Sequence, residues 1–243
     1  LLSKYKNKLQ FVYKKFENNL GANSLTKHWD RCIELTQNED WIMILGDDDI
    51  LASNVVDEFY KQYNSFNEIS NVVRFSTKIL KGDNLSKRFK NQKLLKPEMA
   101  YYKKVVGKSR SSLSEHIFRK KSYQEKGFVN YPLAWCSDDR AWLDFSMDSK
   151  IIYSINEAHV VIRISELSIS GDKDKSDLKF LAEKKFRFWF FNNKGQYLSK
   201  KERLKYLYIL EEFIKIKNNL TSKEYAWFYK SYLANFNLIA FIL

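Results

Sequence analysis

The stretch Trp41-Ile42-Met43-Ile44-Leu45-Gly46-Asp47-Asp48-Asp49 constrains the fold of this 243-residue chain more than any other. Five apolar residues lead through a glycine into three consecutive carboxylates. The run is too short for a typical helix, so it reads as a strand buried on both faces, of the kind found in a parallel sheet. Three acids crowded at a strand end repel one another unless a cation sits among them, and aspartate oxygens suit the hard ions Mg2+ and Mn2+. In open α/β sheets ligands bind beyond the carboxyl ends of the strands, which is where these acids would lie. The same acids also fit a helix start, with one of them capping a segment that begins near Ala52.

The elements around this stretch alternate in type. Gln10-Phe11-Val12-Tyr13 is a short β-prone run, and Asn18-Asn19-Leu20-Gly21 has turn chemistry. Residues Ala22 to Thr36 carry Leu25, Trp29, Cys32, Ile33 and Leu35 at helical spacing. Residues Ala52 to Tyr63 form a second predicted helix, and Asn71 to Ser76 a strand. The polar, basic residues 77 to 110 read as a surface excursion with weak structure and a turn at Gly82-Asp83-Asn84. Ser111 to Glu115 is a short helical turn, and His116 to Arg119 is extended. Ile151 to Ile155 and Val160 to Ile164 are apolar enough to be two buried strands. From Asp177 the pattern becomes helical, with helices over Asp177 to Asn192, Ser199 to Asn218, and Thr221 to the C-terminus. Two parts follow: an α/β part over 1–171 and a helical extension over 172–243.

Aromatic residues make up 16% of the chain, with 7 glycines and 2 prolines, which excludes disordered and loop-rich classes. Cys32 and Cys136 show no metal-ligand spacing and fit a reducing compartment. The apolar run Leu238 to Leu243 is too short to span a bilayer. The net charge of +13 is uneven: residues 74–126 hold 16 basic and 4 acidic side chains, whereas the segments holding the acidic clusters are net negative. Such an excess suits an anionic membrane surface or a phosphate-bearing ligand, and reads equally as a solvated lysine-rich surface. No nucleic-acid-binding motif accompanies it.

A second carboxylate pair, Asp138-Asp139, lies about ninety residues after the first cluster and follows Trp135-Cys136-Ser137. Ser137 is a fair N-cap, which places both acids in the first turn of a helix, where the macrodipole favours anions. Two such clusters in one α/β sheet suggest a division of labour. One set of carboxylates binds a cation and a phosphate-bearing ligand, and the other takes a proton from an attacking hydroxyl. His28, His116 and His159 have no ligand spacing and read as structural. Trp135 suits stacking on a sugar ring or a place in the core.

These residues resemble a family. Glu17-Asn18-Asn19-Leu20-Gly21, the helix after it and Trp41 to Leu51 look like the middle of a family 2 glycosyltransferase with the GT-A fold. Gly127-Phe128, Pro132 and Ser137-Asp138-Asp139-Arg140-Ala141-Trp142 follow in matching order, so the resemblance covers roughly residues 9 to 171. It implies a Rossmann-like mixed sheet flanked by helices, and an inverting transfer of sugar from a nucleoside diphosphate, with a UDP-sugar as the expected donor. It also implies a divalent cation, Mn2+ or Mg2+. Carried over by position, Asp47 contacts the ribose or diphosphate, Asp48 binds diphosphate and metal, and Asp49 is a second ligand or a cap, with the register among the three left open. Asp139 matches the base and Asp138 the residue that orients it or the acceptor. Arg163, followed by Ser168-Ile169-Ser170-Gly171, falls where a basic or hydroxyl group approaches the diphosphate, a role suited to an Arg fork.

The chain departs from the family at its start, which lacks the strand–helix–strand that grips the nucleotide base. It therefore reads as part of a larger enzyme or as a non-catalytic remnant with a binding or scaffold role. The resemblance implies a glycan or lipid-linked acceptor in surface polysaccharide synthesis and a cytoplasmic location. The basic helical part is expected to contact the inner face of a membrane peripherally.

Overall fold

The computed structural model of the chain describes residues 11–146, 151–165, 169, 171, 172, 174–217 and 219–235. The fold is α/β, a mixed seven-stranded sheet flanked by helices. In chain order it begins with helices α1 (Leu20–Asn23) and α2 (Leu25–Ile33). Ser24 separates them: its backbone is extended at φ −155°, and its hydroxyl accepts from Lys27 N–H as the cap of α2. The single helix predicted over Ala22 to Thr36 is therefore split. Strands β1 (Trp41–Met43) and β2 (Ile50–Leu51) bracket the acids, and helices α3 (Val55–Lys61) and α4 (Tyr63–Phe66) follow.

Strand β3 (Val72–Lys81) runs well past the predicted end at Ser76 and turns at Gly82 into β4 (Asn84–Leu85). Gly82 has φ +57°, which an L side chain would strain. After β5 (Leu94–Leu95) comes α5 (Pro97–Val105), opened by a proline at its first turn. The stretch expected to be weakly structured thus holds half of a long strand, a hairpin and a helix. A 3-10 turn (Leu113–Glu115) leads into β6 (His116–Arg119) and α6 (Lys120–Lys126). Helix α7 (Ser137–Phe145) precedes β7 (Ile152–Ile164), one 13-residue strand where two were expected. A register shift opposite Phe75/Ser76 bulges residues 156–158, and the polar pair Asn156-Glu157 looks like a break in the sequence.

The sheet order is β1-β6-β3-β7-β2, with β4 on β3 and β5 on β7. Among the described strands only β3 and β7 run parallel; the other pairs are antiparallel. Strand β1 lies at the end of that order beside β6 alone, and Trp41 and Met43 are half-buried. It is not the doubly buried parallel strand that its apolar run predicts. Residues 11–13 form no strand, and the readings on Gln10, Ser168, Ser170 and Leu238 to Leu243 lie outside the described residues.

Strict alternation builds the two sheet faces. Val73, Phe75, Ile117, Tyr153 and Ile155 pack against Val55, Phe59 and Phe66 from α3 and α4. Val72, Phe118 and Ile152 point the other way, onto Ile33 of α2 and Ala141, Trp142 and Phe145 of α7. Helices α8 (Ser176–Lys194), α9 (Lys200–Lys215) and α10 (Ser222–Asn235) build a third cluster that includes Tyr101 of α5 and Leu143 of α7. The helical extension therefore shares a core with the α/β part. Ser199 caps α9 in a capping box with Glu202. Ser199→Ala should lower stability by about 1 kcal/mol, read as a shift in the urea midpoint at constant slope. No described helix is long and apolar enough to cross a membrane.

Candidate functional site

The loop after β1 is held from below. Gly46 N–H donates to Ser114 Oγ at 2.9 Å, and Asp49 N–H donates to Gly46 O at 3.2 Å, closing a tight turn. That turn sends Asp48 and Asp49 toward β7. Arg163 N–H donates to Asp49 Oδ1 at 2.9 Å, and Arg163 Nε donates to Asp48 O at 3.3 Å. A methyl group on Gly46 would lie 3.1 Å from Asp49 Oδ2, 3.3 Å from Asp48 Oδ1 and 3.4 Å from Ser114 Oγ. The missing side chain leaves a small cradle faced by three hard oxygen donors. Burial raises Asp49 above its ordinary value, and the neighbouring Asp48 adds to this.

The second acidic pair arrives by a strained path. Leu133, Ala134 and Cys136 all have positive φ (58°, 53° and 66°), unusual for residues with a Cβ. Cys136 occupies the N-cap position, not Ser137, whose hydroxyl accepts from Tyr131 N–H at 3.3 Å instead. Asp138 and Asp139 lie in the first turn of α7, as their position in the sequence predicts. Asp139 is buried and accepts from Lys104 Nζ at 2.5 Å in an ion pair. Burial and then the Asp139 carboxylate push Asp138 up to about 7, against the pull of Lys104. Burial works against the Lys104 charge, yet Asp139 and Asp138 outweigh it and hold the ammonium more firmly protonated than usual.

Both clusters open into one cavity of about 430 Å³, lined by Asp48, Asp49, Asp138, Asp139, Arg163 and Trp135, among others. Asp47 is exposed and is not part of that lining. Trp135 forms one wall, its Nε1 donating to Glu183 Oε2 at 3.3 Å. Ile169, Glu183 and Arg187 bring the residues after β7 and helix α8 to the same space. His116 is buried and stacked on Trp142, at 4.2 Å between ring centroids, and burial holds it well below its ordinary value. Its Nδ1 lies 2.8 Å from Ser112 O, so the ring is held inside the core.

No protein-family model matches the chain, and no curated protein matches it.

Among the described residues no group of three or more His, Cys, Asp and Glu side chains is placed to hold a metal ion. Asp48 and Asp49 supply two carboxylates, and Ser114 adds a hydroxyl. Mg2+ characteristically takes one or two carboxylates and completes its shell with water and substrate phosphate, so this donor set fits such an ion. If these donors hold such an ion, Gly46→Ala should fill the cradle and weaken Mn2+ binding roughly tenfold or more while leaving the melting temperature nearly unchanged, as read by calorimetry and a thermal melt.

Lys104 and Ser114 were not expected at the site. Lys104 lies on α5, whose signal is Pro97 followed by Glu98, with Tyr101 and Val105 at helical spacing. Ser114 carries no signal of its own, because its role comes from a long-range bond to Gly46.

Proposed function

We propose that this cavity is a glycosyl-transfer site of the GT-A type, taking a sugar from a nucleoside diphosphate to a hydroxyl acceptor with inversion. The observation that supports it best is the meeting of Asp48-Asp49 and Asp138-Asp139, about ninety residues apart in sequence, with Arg163 in one cavity. The space suits a ligand with a charged end and a polar ring, and Trp135 offers a face for the ring.

In this reading Asp48 and Asp49 hold the divalent cation, and Arg163 meets the diphosphate. The cation would neutralise charge on the departing diphosphate. Asp138 takes the proton of the acceptor hydroxyl as its oxygen bonds to the anomeric carbon and the bond from that carbon to the diphosphate breaks. Position in the sequence gives the base role to Asp139, but Asp139 is buried and committed to Lys104. Both acids line the cavity, but Asp138 is the less buried of the two, and burial with the Asp139 charge raises its carboxyl to about 7, where a general base works best. Asp139 and Lys104 then act as positioning residues for the first turn of α7.

Calorimetric titration with UDP and with GDP, each with Mn2+, tests the proposal. The expected result is saturable binding of one nucleotide that needs the cation and is weakened in Asp48→Asn. A folded protein that binds neither nucleotide would favour the scaffold reading, which the position of β1 at the end of the sheet order also suits.

A further inference from the structure

We infer that the basic strap between β4 and β5, residues 86–93, docks the protein onto a bilayer bearing anionic lipid headgroups. This goes beyond the transfer reading and does not depend on it. Residues 81–96 hold six basic side chains and one acidic one, Asp83, and Lys93 acts on the Glu157 carboxylate across the bulge of β7. Lys81, Lys87, Arg88, Lys90, Lys93 and Lys96 are exposed, and none makes an ion pair among the described residues. The helical extension, residues 172–243, carries 15 basic and 8 acidic side chains, and some of its lysines are paired within it. Lys175 pairs with Asp172, Lys184 with Glu224, Lys215 with Glu211, and Lys217 with Asp177. Its surplus of seven is spread over 72 residues, whereas the strap gathers its cations into one short run of chain.

Charge alone would suit any polyanion, but the strap also presents apolar side chains. Leu85, Phe89 and Leu94 are 52%, 47% and 44% exposed, within ten residues of chain that also hold four of these cations. Exposed large apolar groups among lysines are what a headgroup and acyl-chain boundary takes up, and what a soluble polyanion has no use for. The strap is also pre-formed. Thr77 and Phe89 exchange backbone hydrogen bonds of 3.1 and 2.8 Å. Asn91 N–H donates to Asn156 Oδ1, and Asn156 Nδ2 donates to Asn91 O, both at 2.8 Å. Arg88 Nη1 donates to Asn156 O at 3.1 Å, so the strap is clamped across the bulge of β7. Little ordering is then needed on docking.

The strap adjoins the cavity. Arg110 lies over the Phe89 ring at 5.7 Å and interacts electrostatically with Asp49, and Leu80 beside the hairpin pairs in register with Arg163. Docking there would bring the cavity close to the bilayer surface.

The test is flotation of the whole protein with vesicles of phosphatidylcholine alone and with about a third phosphatidylglycerol. The variants are Lys87→Gln/Lys90→Gln/Lys93→Gln, Leu85→Ser/Phe89→Ser, and a control, Lys223→Gln/Lys230→Gln, on α10. At about 1 kcal/mol per lysine near an anionic surface, the strap triple variant should partition roughly 100-fold more weakly. The Leu85/Phe89 variant should lose at least tenfold, the control should bind as wild type, and neutral vesicles should not bind. Unaltered circular dichroism establishes that the variants fold. Wild-type protein that ignores anionic vesicles, a triple variant that binds normally, or loss only in the α10 control would overturn the inference. So would binding that is indifferent to Leu85→Ser/Phe89→Ser and fully competed by soluble polyphosphate, which would identify a soluble polyanion as the partner.

Discussion

Asp138→Asn should slow the proposed sugar transfer by about a hundredfold or more and, at the same time, make the protein more stable above pH 7. The two effects have one cause. Burial and the Asp139 carboxylate raise Asp138 from an ordinary value of 3.8 to about 7. Between these values the folded protein keeps a proton that the unfolded chain has released. Stability therefore falls as pH rises from about 4 to about 7, and the loss is complete above that. Asparagine keeps the shape and removes the charge, so its advantage appears on the alkaline side. A shift of this size sets an upper limit near 4 kcal/mol, and contact with cavity water reduces the expected gain to about 1–2 kcal/mol. Asp139→Asn should do the opposite, because it leaves the largely enclosed Lys104 ammonium without its partner, at a cost of about 2 kcal/mol. Urea midpoints of both variants at pH 5 and pH 8 check this. For the transfer step, loss of a general base costs about a hundredfold to ten-thousandfold in rate. If Asp138→Asn were destabilising at pH 8, or kept full turnover, the assignment of the base would be wrong.

The largest loss of stability is expected from Glu115→Ala. Glu115 is fully buried beneath the cavity loop, and Arg74 Nε, on the central strand, donates to its Oε1 at 2.6 Å. Ser112 Oγ donates to the other oxygen at 2.7 Å. Removing the carboxylate leaves an arginine charge in the core beneath the sheet, which costs about 3–5 kcal/mol, a third or more of the stability of an ordinary domain. Arg74→Met/Glu115→Leu should recover most of the loss, because burying an ion pair gains little over a well-packed apolar pair. The measurement is the urea midpoint with the slope held constant. A Glu115→Ala protein within about 1 kcal/mol of wild type would mean that water reaches Arg74.

The parts of the fold that could be read in the sequence are those set by local periodicity. The amphipathic pattern of α8 and α9, the cap at Ser199 and the alternating strand β6 all follow from neighbours within a few residues. The acids were also legible, since Asp48, Asp49, Asp138 and Asp139 stand out against apolar flanks. What local pattern could not give was partnership. The apolar run at Trp41 resembles an interior parallel strand, yet β1 pairs antiparallel with β6 at the end of the sheet order. The bulge at residues 156–158 interrupts β7 in sequence but not in space, because its neighbours stay paired to β3 on both sides. Residues 77–110 look solvated because their lysines hide Tyr101 and the helix start at Pro97. Lys104 went unread with them, and with it the ion pair that occupies Asp139 and leaves Asp138 as the proposed base.

The central claim, that the two acidic clusters share one nucleotide site, is tested most directly by Mn2+ broadening of the indole N–H signals of the six tryptophans, with UDP or GDP present. A cation at Asp48 and Asp49 should broaden Trp135 and Trp29, which line the cavity, well before Trp227, which packs on α8, and Asp48→Asn should abolish the effect. Equal broadening of all six signals, or broadening that persists in Asp48→Asn, would contradict it.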